Sequence, residues 1–399
     1  MSRPRPDSLP VAALLTALVA FGPISTDMYL PSLPALVVAF DTDVPTVQLT
    51  LSAFLVAFAV SMLVYGPLSD RFGRRPVLLG AVTVYTLASI ACALAPTIEW
   101  LIGARIAQAV GSCAGPVLGR AVVRDVYGKD RAATVLSYMG TAMALAPAIG
   151  PILGGWLQVT FGWQATFWVL TGFSGFALLG VALMLDETNA HRHPGATSMR
   201  GVITNYASLL RHRVYIGYVL TISACYSVIF SFISGSSFVL IEVVGLSPDL
   251  YGYAFATIVL GYMTGTFISG RYGRRVGIER MILMGGALTM LAGLVMAAFA
   301  WADKVTVATV VLPQMMAMIG VGLVFPNTQA GAIGPFPTMA GSASALLGFC
   351  QMSIAAAVGL AIGYAFDGTA RPMATGVAVA GSLTFLLFWV IVWSVRDRE

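Results

Sequence analysis

The chain has 399 residues, of which 58% are hydrophobic and 10% charged, with 22 Lys and Arg against 17 Asp and Glu. A soluble protein covers its surface with about 25% charged residues, so this composition excludes a soluble enzyme, a nucleic-acid-binding domain and a disordered chain. What remains is a protein whose solvent is mostly lipid. The long unbroken apolar runs, such as Leu51 to Tyr65 and Met281 to Ala300, are unlike the short alternating segments of a transmembrane barrel. A membrane-crossing helix takes roughly 20 residues, so twelve would use about 240 and leave about 160 for loops and ends.

In chain order the runs predict an all-α membrane protein with spans at about 9–33, 46–67, 77–95, 99–120, 131–156, 163–185, 214–241, 250–269, 279–300, 305–327, 340–364 and 372–395. The first run follows Arg3, Arg5 and Asp7 and superficially resembles a signal peptide. No small-residue cleavage site follows it, so it is read as a retained span. The longest polar interval, 186–213, reads as a linker between two six-helix halves, 1–185 and 214–399. It holds all three histidines, His191, His193 and His212, which are expected to be solvated rather than metal-binding. Cys92, Cys113, Cys225 and Cys350 have no metal or redox spacing and read as small buried apolar residues.

Placing both termini on one side puts 19 of the 22 basic residues on that side, with Lys304 and Arg371 opposite and Arg105 inside a span. By the positive-inside rule both ends are cytoplasmic, and the net charge reflects topology rather than a nucleic-acid partner. Trp100, Trp156, Trp163 and Trp301 fall at outer span ends, as interfacial anchors should. Ser69 to Arg75 recurs as Ser269 to Arg275 with five of seven positions identical. A parallel repeat of six spans per copy is the plan of rocker-switch transporters.

Gly66-Pro67-Leu68-Ser69-Asp70-Arg71-Phe72-Gly73-Arg74-Arg75 resembles the signature loop of the major facilitator superfamily. Two further motifs narrow the resemblance to its 12-span drug:proton antiporters. Leu101-x-x-x-Arg105-x-x-Gln108 is similar to their span-four motif, with Ala109 where the family usually has Gly. Gly150-Pro151-Ile152-Leu153-Gly154-Gly155 is similar to their span-five motif, with Ala146 in place of its leading Gly. Asp27 to Pro34 resembles the Bcr/CflA branch, which includes bicyclomycin and chloramphenicol exporters. The second-half copy of the loop has Gly270 in place of the acid, so gating chemistry is expected mainly in the first half. The resemblance implies a bacterial inner-membrane protein that works as a monomer on small molecules and protons, with no cofactor and no metal.

A charge at the bilayer centre costs roughly 2.5–3.5 kcal/mol on insertion scales. Asp27 is therefore the expected proton carrier, although it could instead cap a broken helix before Pro31 and Pro34. Arg105, at similar depth in span four, is expected to pair with it. Glu242, at the end of span seven, is expected to snorkel to the interface. Asp70 is expected to rest against the start of span eleven, Ala340 to Ala343, with Arg71, Arg74 and Arg75 pairing with Asp125 or Asp130. With Gly66, Gly73 and the span-five Gly150, Pro151, Gly154 and Gly155, these residues are the expected gate. Expected substrate contacts are Tyr29, Gln108, Tyr138, Tyr226, Phe230, Asn327, Gln329 and Gln351. No phosphate loop, zinc motif or nucleophile elbow appears, so neither an ATP-driven pump nor an enzyme is expected. The reading is a proton-coupled exporter working by alternating access. The alternatives are a purine nucleoside or amino-acid permease and a non-transporting membrane sensor on the same fold.

Overall fold

The structure, a computed structural model, describes residues 8–127, 129–189, 206–336 and 339–394, without the side chains of 129–131, 133, 137 and 142. His191, His193, most of the linker, both extreme termini and the Asp130 carboxylate lie outside these residues. Every regular element among the described residues is helical.

Span one is broken into Leu9–Val19, Phe21–Asp27, a 3-10 turn Leu30–Ser32 and Leu33–Ala39, with a 42° bend at Ala20. The causes are local: Pro23 has no N–H for the Val19 carbonyl at the bend, and Pro31 has none for the Asp27 carbonyl, where the middle helix stops. Spans two to six are Val44–Phe72, Arg74–Ala93, Ile98–Val126, Lys129–Phe161 and Gln164–Met184. Spans seven to twelve begin with Arg213–Ser237, extended by a π turn Phe238–Val243. Pro248–Val276, Ile278–Trp301, Val307–Ile333 and Ala340–Ala365 follow, and Arg371–Leu387 with a π turn Phe388–Trp393 closes the series. Counting the bent pair as one, eleven of these twelve are long and apolar enough to cross a membrane. Span eight is long enough, but Tyr, Thr and Gly dilute it.

Spans two, four, eight and ten each run five to seven residues past their expected ends, all toward the signature loop. Hydropathy marks where hydrocarbon ends, whereas a helix stops only where its backbone bonding is broken. Gly73, at φ 103°, ends span two in a conformation that favours glycine, and Gly277, at φ 90°, does this for span eight. The two loop copies therefore differ: the second stays helical through Gly273. Trp163 departs from its expected role as an interfacial anchor. It is buried against Phe40 and Phe167, with ring centroids 5.3 and 6.2 Å away.

The first six spans pack on one another, as do the last six, and the two sets meet along spans two and eleven and along spans five and eight. Spans two and eleven touch only over part of their length. Gly363 lies against Gln48, Gly359 against Ser52 and Gly348 against Met62, and the Gln48 amide donates to the Ser234 carbonyl of span seven. Further along, a side chain at Gly66 or Gly341 would meet nothing within 4 Å. The sets are thus closed at the far end and parted at the signature-loop end.

Close approach by small residues holds each set together. Gly115 of span four faces the Leu18 backbone so tightly that any Cβ would overlap it, whereas Gly103 of the same helix faces open space. Gly115→Leu should lower stability by about 1–3 kcal/mol or more, seen as a lower thermal midpoint of the purified protein. Gly103→Leu should change it little, and equal effects would contradict this packing.

Candidate transport site and gate

A cavity of about 660 Å³ lies between the two sets, walled by spans one, two, four, five, seven, eight, ten and eleven. Its lining is mostly apolar, with Phe54, Phe58, Met139, Phe230, Phe255 and Met318 prominent. Among the described residues only Asp27 and Arg120 bring charge to it.

Asp27 ends the middle helix of span one, at the floor of the cavity. It is 4% exposed, and its carboxylate accepts from the Thr26 hydroxyl at 3.2 Å. Tyr226 of span seven and Tyr251 of span eight lie within its electrostatic reach. The span-five motif sits directly behind it. A Cβ on Gly150 would lie 3.2 Å from Asp27 Cβ, and Gly154 faces the Met28 backbone. Gly155 faces Pro248 and Asp249 at the start of span eight, while Gly252 of span eight faces Pro151 and Ile152. One short stretch of span five thus touches the acid on one side and the opposite set of spans on the other.

Arg105 does not pair with Asp27. It is fully buried behind span one, and its Nη1 donates to the Ser25 carbonyl at 2.9 Å and to Gln108 Oε1 at 2.6 Å. The break in span one frees that carbonyl. The Tyr29 N–H, which a regular helix would give to Ser25, turns to Thr26 instead. The guanidinium also faces the rings of Phe54 and Tyr29 at 4.3 and 4.8 Å, a cation–π arrangement. Arg105 reaches span one two residues from Asp27, but on another face. Ser25 points its hydroxyl to Tyr85 of span three, and Asp27, about 200° further round the helix, points to the cavity.

The expected substrate contacts divide. Tyr226, Phe230, Gln329 and Gln351 line the cavity. Tyr29 and Gln108 belong to the Arg105 cluster, where Tyr29 bonds Thr50 at 2.9 Å and Gln108 donates to Ser89 at 2.8 Å. Asn327 is bonded to Ser269 at 2.7 Å, tying span ten to the second-half loop. Tyr138 is 56% exposed on the outer surface. Glu242 is exposed at the end of span seven, away from the cavity. Of the lining residues not expected from the sequence, Gln314 and Arg120 stand out. Gln314 has a buried Oε1 without a hydrogen-bond partner, as has Gln351. Arg120 was counted among the loop arginines because span four was ended at its position; the helix continues to Val126.

At the signature loop, Arg74 is the hub. It bonds Asp70 at 2.6 Å, Asp125 at 3.1 Å and the Ser69 hydroxyl at 2.5 Å, and its backbone N–H donates to Glu187 at 2.9 Å. Asn189 donates to the Ser69 and Asp70 carbonyls, and Arg75 to the Ala182 carbonyl. The expected pairing with Asp125 is therefore made by Arg74. The expected seat of Asp70 on span eleven is not occupied with the loop end parted: Asp70 turns to Arg74 within its own set.

Comparison with known proteins agrees with this geometry. The profile described as Major Facilitator Superfamily matches residues 15–360. An uncharacterized MFS-type transporter, YdgK, of Bacillus subtilis is 34% identical over 95% of both chains. A chloramphenicol resistance protein of Pseudomonas aeruginosa is 31% identical over 84% of this chain and 79% of that one. The crystal structure of a peptide transporter, POT, in complex with sulfate superposes with a TM-score of 0.77 over 97% of this chain and 94% of that one. At 13% identity, that match speaks for the fold alone.

The geometry predicts that Arg105 is held by Gln108 and not by Asp27. Gln108→Leu should lower stability by about 1–3 kcal/mol, since it strips an acceptor from a buried cation. A double-mutant cycle of Asp27→Asn with Arg105→Met, read by thermal unfolding, should give a coupling below about 0.5 kcal/mol. A coupling of several kcal/mol would mean that the two form an ion pair after all.

Proposed function

The chain belongs to the Major Facilitator Superfamily, and from that premise we propose that it is a proton-coupled drug exporter of the bacterial inner membrane. In this reading both termini face the cytoplasm, and residues 1–185 and 214–399 rock against each other about the cavity. The observation that carries it is the position of Asp27. A nearly buried carboxyl, without an ionic partner among the described residues, lies on the wall of the cavity where spans one, five and eight close the far end. Such a group takes a proton from one side when the cavity opens there and releases it to the other when a substrate or a change of surroundings favours the anion. Each proton moved down a 100 mV potential supplies about 2.3 kcal/mol. The name of the chloramphenicol resistance relative supports chloramphenicol as a first substrate to try.

Arg105 serves this scheme indirectly. By gripping the Ser25 carbonyl it fixes the break in span one and so the direction in which Asp27 points. The glycines of span five transmit movement between the halves to the acid, because the same turn of helix touches both. With the loop end parted, the Asp70–Arg74–Asp125 network keeps Asp70 within its own set. When that end closes, Asp70 transfers to the start of span eleven and latches it.

Two outcomes test the reading. In proteoliposomes, Asp27→Asn abolishes chloramphenicol transport driven by an imposed pH gradient, and undiminished transport would refute proton carriage by this residue. Asp70→Asn leaves equilibrium substrate affinity within about twofold while cutting turnover about tenfold, the worth of one charge-assisted hydrogen bond. A collapse of affinity with turnover intact would place Asp70 in the binding site instead of the latch.

A further inference from the structure

Arg120 has no place in this scheme, yet it is the cavity's one cation among the described residues. It lies two turns inside span four, one turn past Pro116, whose carbonyl takes its Nε at 2.8 Å. The rest of its fork has no carboxylate partner among the described residues. Asp125, the nearest acid along the chain, is held by Arg74. Arg124, one turn on, adds positive charge instead of cancelling it. Positive-inside topology accounts for a cation in a loop, but not for one that faces an apolar cavity from inside a helix.

Its distance from Asp27 can be read along span one. The neighbouring Gly119 faces Val19, with a Cβ there 3.4 Å from Val19 Cγ2. From Val19 to Asp27 is eight residues, a rise of about 12 Å along span one, and the Arg120 side chain reaches back toward Pro116, so the two charged groups lie closer together than that rise. The cavity therefore has a carboxyl at its floor and a guanidinium toward its mouth, with aromatic and Met side chains between them. A guanidinium offers paired donors that match the two oxygens of a carboxylate or a nitro group.

We infer that Asp27 and Arg120 are opposite anchors of one site, which takes dipolar amphiphiles with poles less than about 12 Å apart. The anionic or acceptor end sits on Arg120 and the cationic end at Asp27. This rests on the transport reading only in treating the cavity as the substrate's seat, and binding measured without any gradient separates the two.

The test uses three fluorescent probes of one shape: ciprofloxacin, a zwitterion at neutral pH; its ethyl ester, which keeps only the cation; and its N-acetyl derivative, which keeps only the anion. Equilibrium binding is measured to purified protein in nanodiscs. The wild type binds the zwitterion tightest. Arg120→Met weakens the zwitterion and the anion about 10- to 100-fold, the worth of a charge-assisted bond. It leaves the ester within about threefold, which also shows that the variant is folded. Arg120→Lys, with the charge but not the fork, falls between. Asp27→Asn weakens the zwitterion and the ester and spares the anion. Equal losses for all three probes with Arg120→Met, no loss for any, or no binding of the zwitterion by the wild type would overturn the inference. Failure of pH-driven chloramphenicol flux would leave these affinities unchanged and would bear on the transport reading alone.

Discussion

A charge taken out of water must find compensation, and that constraint organises this molecule. Two of the ionic groups inside its spans solve the problem in different ways. Arg105 is held fast: its Nη1 donates to a freed carbonyl and a glutamine and its face meets two aromatic rings, although its Nε and Nη2 are buried without a hydrogen-bond partner among the described residues. Asp27 is not. A single hydroxyl bonds its carboxylate, and the cavity opens in front of it. A settled charge makes structure, and an unsettled one makes chemistry, because its ionisation depends on what next enters the cavity. The break between Asp27 and Pro31 serves both: the Tyr29 N–H turns to Thr26 and leaves the Ser25 carbonyl to Arg105, and the helix ends at the residue that faces the cavity.

The second element is close backbone contact. Gly150 and Gly154 bring span five against Asp27 and Met28, and Gly155 with Gly252 brings the same turn against span eight. No side chain lies between the acid and the contact joining the two sets of spans. A shift of one set against the other is therefore felt at the acid without a relay. At the opposite end the charges pair within one set: Arg74 gathers Asp70 and Asp125. Packing closes one end, and at the other these ion pairs do not bridge the two sets.

Much of this was legible in the residues. Hydropathy located the twelve helices, the repeated loop gave the parallel plan, and rarity of charge singled out Asp27 and Arg105. What the sequence hid was rotation. Counting residues gives depth in the membrane but not which way a broken helix faces, so Asp27 and Arg105 looked like partners although they lie on different sides of span one. For the same reason Tyr29 and Gln108 looked like substrate contacts, while they serve Arg105. Arg120 was hidden differently: an arginine near an apparent span end looks like topology until the helix is seen to continue for six more residues. Asn327 and Trp163 were polar or amphipathic groups whose partners lie far off in sequence, on span eight and in the loop after span one, and no local pattern reports such partners.

The central claim is that Asp27 itself gains and loses the proton. Infrared difference spectroscopy of the purified protein during a pH titration observes this directly. The account predicts a protonated-carboxyl band that disappears as pH rises and is missing in Asp27→Asn. It also predicts that the band disappears at lower pH when ciprofloxacin ethyl ester is bound, because a neighbouring cation favours the carboxylate. A band that survives unchanged in Asp27→Asn would contradict the account, since the proton would then ride on another group.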